Sequence, residues 1–268
     1  MINYREDPEL FSVLENASQD DLEILVDIIT DSGEGRVSLD DEVLKQLVSA
    51  KNSGKFKDKH LHMIAGEIQL FGGNSIINMF RGKGVGYREI ICDVADHLDA
   101  NYSEQQDIAL IESAILMKVL EKSLEKMSEE EKKKFFAEFG VKYSTGAGPA
   151  AMIALQVAIK ASGFAGFKLA VMVANSAAMA ILGRGLAFGA NAGLTKLIGG
   201  FAGPIGWAIT AIWSAFDMAA PAYRVTVPCV IQLAYMRQNA LMAHCPNCNA
   251  VVVGDVKFCN ECGHKLAQ

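Results

Sequence analysis

Between residues 145 and 240 the chain carries seven charged side chains in 96 positions. Six are basic (Lys160, Lys168, Arg184, Lys196, Arg224, Arg237) and one, Asp217, is acidic. A stretch so poor in charge must be hidden from water, either by the rest of the chain or by a bilayer. Within it, Leu197 to Phe216 is a run of 20 uncharged residues. As a helix it would extend about 30 Å, the thickness of a hydrocarbon core. Leu169 to Gly183 is a second uncharged run, of 15 residues. Its length is short for a span unless Lys168 and Arg184 reach outward to headgroups.

Gly185, Gly189 and Gly193 recur every fourth residue, and Gly199 and Gly203 repeat the spacing. On a helix this makes a smooth stripe that permits close backbone approach. Trp207 and Trp213 suit a membrane interface or a core. The apolar side chains of 197–216 sum to roughly −2 to −4 kcal/mol on an insertion scale. Four glycines, Pro204, Thr210 and Ser214 oppose that. Insertion is therefore near balance, which suits a hairpin over 169–216 that inserts reversibly. The bland reading is a soluble core whose central helices are apolar all round because other helices surround them. Asp217, the one acid, needs a partner, and Arg224 or Arg184 is placed to pair with it. Pro221 and Pro228 are expected to break helices, leaving a last helix near 229–243.

Residues 1–144 reverse the balance, with 28 acidic and 17 basic side chains. Ser18 and Ser38 precede apolar runs, each followed by acids in the first turn. Ser128 and Glu131 have capping-box spacing. Leu61, Ile64, Ala65, Ile68 and Phe71 share a helical face, as do Ile90, Ile91, Val94 and Leu98. Breaks fall at Gly33–Gly35, Asn52–Gly54, Gly72–Asn74 and Gly82–Gly86. Six or seven helices result, and no strand before residue 240. The run from Glu129 to Lys134 offers i,i+4 pairs on a wet helix face. Arg81-Gly82-Lys83-Gly84-Val85-Gly86-Tyr87-Arg88 reads as a turn between helices. Arg81, Lys83 and Arg88 also make it a candidate anion contact. It lacks the spacing of a phosphate loop and follows a helix rather than a strand.

The last 28 residues hold four of the six cysteines. Cys245-Pro246-Asn247-Cys248 and Cys259-Asn260-Glu261-Cys262 are two CxxC knuckles ten residues apart. Each presents two sulfurs to one ion, and four thiolates are what structural zinc prefers. With all four corners cysteine, no position stays open for catalysis. Ala250–Val253 reads as a hairpin arm with Val256–Phe258 returning. Cys92 and Cys229 read as ordinary buried thiols. His60 and His62 point in different directions on a helix, and no hydrolase or dinucleotide motif is present in the right context. The protein is expected not to be an enzyme. The net charge of −6 disfavours nucleic acid. The charged first 20 residues lack an apolar central run, which reads as a cytoplasmic start.

Three motifs carry a resemblance: FGGNSI, then RGKGVGYREI, then AYRVTVPCVIQLAYMR. This pattern resembles the YaaW family of bacterial proteins, grouped by sequence with ubiquinol–cytochrome c chaperones. The opening YREDPELFSVLENASQDDLEILVDII is similar to the leader domain that often precedes that family's main domain. The resemblance spans most of residues 1–240 and leaves the cysteine tail as an appended module. It implies a helical fold, a bacterial cytosolic or inner-membrane setting, and help with assembling membrane complexes; it implies no reaction.

The expected fold is all-α: a multi-helix bundle with an apolar, glycine- and alanine-rich central hairpin and a C-terminal zinc-ribbon β-hairpin. Boundaries fall at 1–36 (leader), 37–144 (acidic amphipathic helices), 145–240 (apolar helices) and 241–268 (ribbon). The first functional expectation is a membrane-associating helical protein whose ribbon recognises a partner. Its rival is a soluble adaptor or assembly chaperone whose apolar helices form the core or a client groove. Partners implied are anionic lipid, a protein met by the ribbon, and a second copy of the chain. Structural zinc is the one cofactor implied.

Overall fold

Eleven helices form among the described residues of a computed structural model, which are 5–36, 38–73, 84–187, 192–215 and 222–266. In chain order they are α1 (Pro8–Glu15), α2 (Gln19–Thr30), α3 (Asp41–Ser53), α4 (Asp58–Gly73), α5 (Tyr87–His97), α6 (Ile108–Leu124), α7 (Glu129–Glu138), α8 (Gly148–Ala161), α9 (Gly163–Leu182), α10 (Ala192–Ala215) and α11 (Tyr223–Ala240). Two short strands follow, β1 (Ala243–His244) and β2 (Val251–Val252).

Starts and stops follow local chemistry. Ser18 accepts a hydrogen bond from the Asp21 N–H, and Ser128 with Glu131 completes a capping box. The start of α3 differs from expectation: Asp40, not Ser38, is the cap, accepting from the N–H groups of Glu42 and Val43. A carboxylate accepts two bonds at once and also opposes the helix dipole, so it displaces the hydroxyl two residues earlier. Gly54 closes α3 in the left-handed region at φ 61°. Asp7 caps α1 through Leu10 N–H and reaches across to Tyr87 N–H at 2.6 Å. It thereby caps α5 as well, whose own N-cap, Gly86, has no side chain.

One continuous apolar core runs from Leu10 to Met236. Its axis is α9. Leu169 through Ala178 are all buried, with α2, α6, α8, α10 and α11 packed round them. Burial of each large side chain here contributes about 1.5–3 kcal/mol. Among the described residues, α9 is the one helix long and apolar enough to cross a membrane, and 61% of its most apolar window is buried in the protein. The first arm of the expected membrane hairpin is thus a core helix. Surrounding helices supply the apolar environment that the sequence demanded.

Three local expectations change. Pro228 lies inside α11 instead of breaking it. Val225, Val227, Cys229 and Val230 are buried around it, and packing outweighs the one lost hydrogen bond. Gly185 is not helical, because α9 ends at Gly183 in the left-handed region at φ 68°. The first glycine of the four-residue repeat therefore stands outside a helix. Finally, β2 pairs with β1, Ala243 opposite Val252, and not with residues 256–258. The chain leaving α11 is already extended beside the first knuckle, so it takes the edge that the returning arm was expected to fill.

Candidate functional site

The two knuckles converge. The Sγ atoms of Cys245, Cys248, Cys259 and Cys262 all lie within 4.8 Å of one another. Cys245 and Cys262 are 3.7 Å apart, as are Cys248 and Cys259. Four sulfurs at about 2.3 Å from one zinc ion would be separated by about 3.8 Å, so the cage already has the size of a tetrahedral thiolate site. Local backbone builds it. The Cys245 N–H donates to Ala250 O, the Asn249 N–H to Cys245 O at φ 56°, and the Gly263 N–H to Cys259 O at φ 71°. The Cys262 thiol is held down to about 6 by the His264 N–H and then by the Asn247 amide. The Ala250 N–H lowers the Cys248 thiol, but Cys262, burial and the other two thiols push it up to about 12. Four thiols this close cannot all ionise by themselves, and a dication is the group that lets them. The tail's own core is small: Cys245, Ala250 and Cys259, with Cys248, Val252 and Leu266 against them.

A second concavity lies on the helical body. The helices α6 and α8 both rest on α9, and between them a cleft of about 1020 Å³ opens to solvent on one side. Gly163, Gly166 and Leu169 of α9, Ala234 of α11, Leu116 and Met117 of α6 and Met152 and Ile159 of α8 line it. Beside it α8 buries just Ala151 and Leu155 and leaves Ile153 64% and Val157 62% exposed. No local pattern marks this cleft, because it is assembled from four helices and the loop after α5.

Two buried charge centres hold the helices in register. Glu112, 2% exposed at the edge of the cleft, accepts from Arg237 Nε at 2.9 Å and from Tyr87 Oη at 2.7 Å. Burial raises the Glu112 carboxyl, and Arg237 and Tyr87 pull it back down. The second centre is Asp27 of α2, which receives Lys51 of α3 and Arg184 from the turn after α9. Arg184, a candidate partner for Asp217 by sequence, is engaged by Asp27. The Asn175 Oδ1 accepts from Leu186 N–H at 3.0 Å, and a Cβ at Gly185 would stand 2.5 Å from that oxygen. That is the close approach Gly185 serves.

The other expected residues scatter. Arg81, Lys83, Gly189, Asp217 and the side chain of Trp213 lie outside the described residues, so neither the anion contact of the first two nor an Asp217–Arg224 pair has a geometry here. Arg88 donates to the carbonyls of Glu104 and Gln106 at 2.9 and 2.8 Å and so clamps the loop after α5. Gly193 sits near the start of α10. A Cβ at Gly199 or Gly203 would meet no atom within 4 Å, so the expected close packing is not made there. Trp207 is 44% exposed beneath Lys126, whose Nζ is 4.5 Å from the ring centre.

The ubiquinol-cytochrome C chaperone family model matches residues 61–231. The chain belongs to that family. A UPF0174 protein of Helicobacter pylori strain J99 is 40% identical over 243 residues, 90% of this chain and 94% of the relative. A second UPF0174 protein of the same strain is 40% identical over 203 residues, 74% of this chain and 97% of its own length. The UPF0174 protein YaaW of Escherichia coli K12 is 30% identical over 241 residues, 88% and 96% of the two chains. No solved structure matches. The matched region holds α6, α8 and α9, covers the cleft lining except Ala234 and Gln238 of α11, and stops short of the four cysteines.

Proposed function

We propose that this protein is a non-catalytic assembly chaperone or adaptor that holds a client protein while a larger complex is built. The observation that carries this reading is the cleft of about 1020 Å³ with the exposed apolar face of α8 beside it. A face bearing Ile153 and Val157 costs solubility unless something covers it. The family's name supports the same role. The cleft has no paired nucleophile and base, and its one buried acid, Glu112, is already engaged. The ribbon, residues 241–268, is an appended recognition module ordered by zinc on Cys245, Cys248, Cys259 and Cys262. Support for zinc is the sulfur spacing and the all-thiol donor set.

The test is genetic and biochemical together. In cells without the protein, native-gel proteomics should show one membrane complex depleted and its subunits unassembled. Wild-type protein should restore it, and Ile153→Lys/Val157→Lys should not. Complexes that assemble normally without the protein would end the proposal. For the ribbon, elemental analysis should give one zinc per chain, lost in Cys259→Ser. Peripheral lipid contact is the second reading, favoured by exposed Trp207 on the outer, glycine-lined face of α10. Flotation with anionic liposomes that Trp207→Ser abolishes would support it.

A further inference from the structure

We propose that the four-thiol site of the tail is a peroxide-sensitive switch. Hydrogen peroxide joins Cys245 to Cys262 and Cys248 to Cys259 as disulfides and releases the zinc, which dismantles the ribbon while the helical body stands. The switch rests on the zinc reading of the ribbon and gives that module a means of control. Four observations lead there.

The first is how the sulfurs are exposed and paired. Cys262 is exposed and Cys248 half-buried, whereas Cys245 and Cys259 are buried. The close contacts cross from one knuckle to the other and join one sulfur of each kind. Cys262 lies 3.7 Å from Cys245, and Cys248 lies 3.7 Å from Cys259. Each sulfur that a small oxidant in solution can reach therefore has a sheltered one beside it. That arrangement carries a sulfenic acid on to a disulfide, because the resolving thiol is already in place.

The second is the state of the chain's other thiols. Cys229 is buried, and burial pushes its thiol well up. Cys92 is half-buried against the core, and burial pushes its thiol up too. A neutral thiol is a poor nucleophile, whereas zinc binds its sulfurs as thiolates. Peroxide therefore finds its reactive sulfurs in the tail and not in the body.

The third is the want of a spare ligand. Among the described residues, these four cysteines are the one group of side chains gathered closely enough to hold a metal ion. The ring of His244, next to Cys245, faces the carbonyls of Asn249 and Asn239 at 3.2 and 3.1 Å. A structural zinc site uses four ligands. Each sulfur lost here leaves the site short, with nothing placed to replace it.

The fourth is how little else orders the tail. The strands β1 and β2 have two residues each. The tail's own core is Cys245, Ala250 and Cys259, and two of those three are ligands. Order in so small a segment comes from its metal. The body does not depend on it in the same way, since the tail adds just the partly buried Met242 and Val251 to the body's core.

The Cys262 thiolate attacks one peroxide oxygen. The S–O bond forms, the O–O bond breaks, and hydroxide leaves and takes a proton from solvent. The Cys245 thiolate then attacks the Cys262 sulfur, forming the S–S bond and expelling the second oxygen as hydroxide, which also becomes water. Two thiolates have lost two electrons, and one peroxide has gained them with two protons. Cys248 and Cys259 repeat the sequence with a second peroxide, and the zinc leaves as the dication.

The experiment treats the full, reduced, zinc-loaded chain with hydrogen peroxide. A chromogenic chelator reads zinc release, intact mass and peptide mapping read disulfides, and amide NMR reads order. One zinc should leave for every two peroxides consumed. The first bond to appear should be Cys245–Cys262 and the second Cys248–Cys259, with Cys92 and Cys229 still reduced. Tail amides should lose dispersion, and those of α9 should keep theirs. Dithiothreitol with added zinc should restore the starting state. Cys262→His keeps four ligands without the exposed sulfur, so it should bind zinc and lose it to peroxide several-fold more slowly. Cys92→Ser should respond as wild type does.

Zinc that stays bound under peroxide sufficient to oxidise Cys92 would overturn the switch and leave the zinc site standing. A chain that neither carries zinc nor takes it up would remove both. Bonds within a knuckle, Cys245–Cys248 or Cys259–Cys262, would overturn the cross-knuckle route. Unfolding of the helical body along with the tail would overturn the separation of the two.

Discussion

Replacing Arg237 with Met should destabilise the helical body by an amount that depends on pH. The guanidinium is the cation holding Glu112, with Nε at 2.9 Å. Its other hydrogen bond, to Glu9 O at 3.2 Å, is nearer the surface. Removing one partner of a buried pair costs about 3–5 kcal/mol, because the remaining charge stays desolvated. Glu112 can escape part of that cost by taking a proton. Its carboxyl is already raised by burial with Arg237 present, and without Arg237 it rises further. Over pH values between the unfolded carboxyl range and this raised value, the folded variant binds more protons than the unfolded chain. The variant's stability then falls as pH rises, by up to about 1.4 kcal/mol per pH unit. Urea denaturation of wild type and Arg237→Met at pH 6 and pH 8 reads this directly. The gap should be about 3–5 kcal/mol at the higher pH and smaller at the lower. Adding Glu112→Gln should recover much of the loss and remove the pH slope. A gap under about 1 kcal/mol at both pH values would mean water in the cleft solvates Glu112, as it would an exposed pair, and the buried-pair account of this centre would be wrong.

Three further outcomes follow from single contacts. Cys259→Ser, or chelation of wild type, should make the remaining tail thiols reactive to a disulfide reagent and erase tail amide dispersion by NMR. The helical body's unfolding midpoint should move little, because its fully buried residues end at Met236 and the tail adds just the partly buried Met242 and Val251 to that core; a coupled loss of both would show that the ribbon is not an appended unit. Gly199→Ala should raise stability by about 0.5–1 kcal/mol, the usual gain for an exposed helical glycine, since its Cβ meets nothing within 4 Å. Destabilisation in a thermal melt would restore the close-packing stripe. Glu67 is 3% exposed, and burial first, then Asp40, pushes its carboxyl up to about 7. The folded chain therefore holds this proton between about pH 4.5 and 7 where the unfolded chain has released it. Its contribution to stability falls across that window as pH rises. Glu67→Gln should gain on wild type by about 2–3 kcal/mol between pH 5 and pH 8, and identical pH profiles would refute the assignment.

What the sequence made legible was local. Ser18, Ser128 with Glu131, Gly54 and the two CxxC knuckles act within a few residues of themselves, and they stand where spacing placed them. The illegible parts depended on distant chain. The uncharged run of 15 residues from Leu169 to Gly183 reads the same whether lipid or helices surround it. Only the packing of α2, α6, α8, α10 and α11 around α9 separates the two. Arg184 meets Asp27 across 157 positions, and Arg237 meets Glu112 across 125. Neither pairing has a sequence signature. Pro228 looked like a break because propensity is local, while the burial that overrides it comes from other helices. The cleft combines α6, α8, α9 and α11, and no one segment announces it.

Hydrogen exchange of residues 169–178, with and without anionic liposomes, addresses the central claim that α9 is the axis of a protein core. These amides should exchange only through global unfolding, at the slowest rates in the chain, and liposomes should leave them unchanged. Rapid exchange of the lipid-free chain, with protection appearing when liposomes are added, would contradict it.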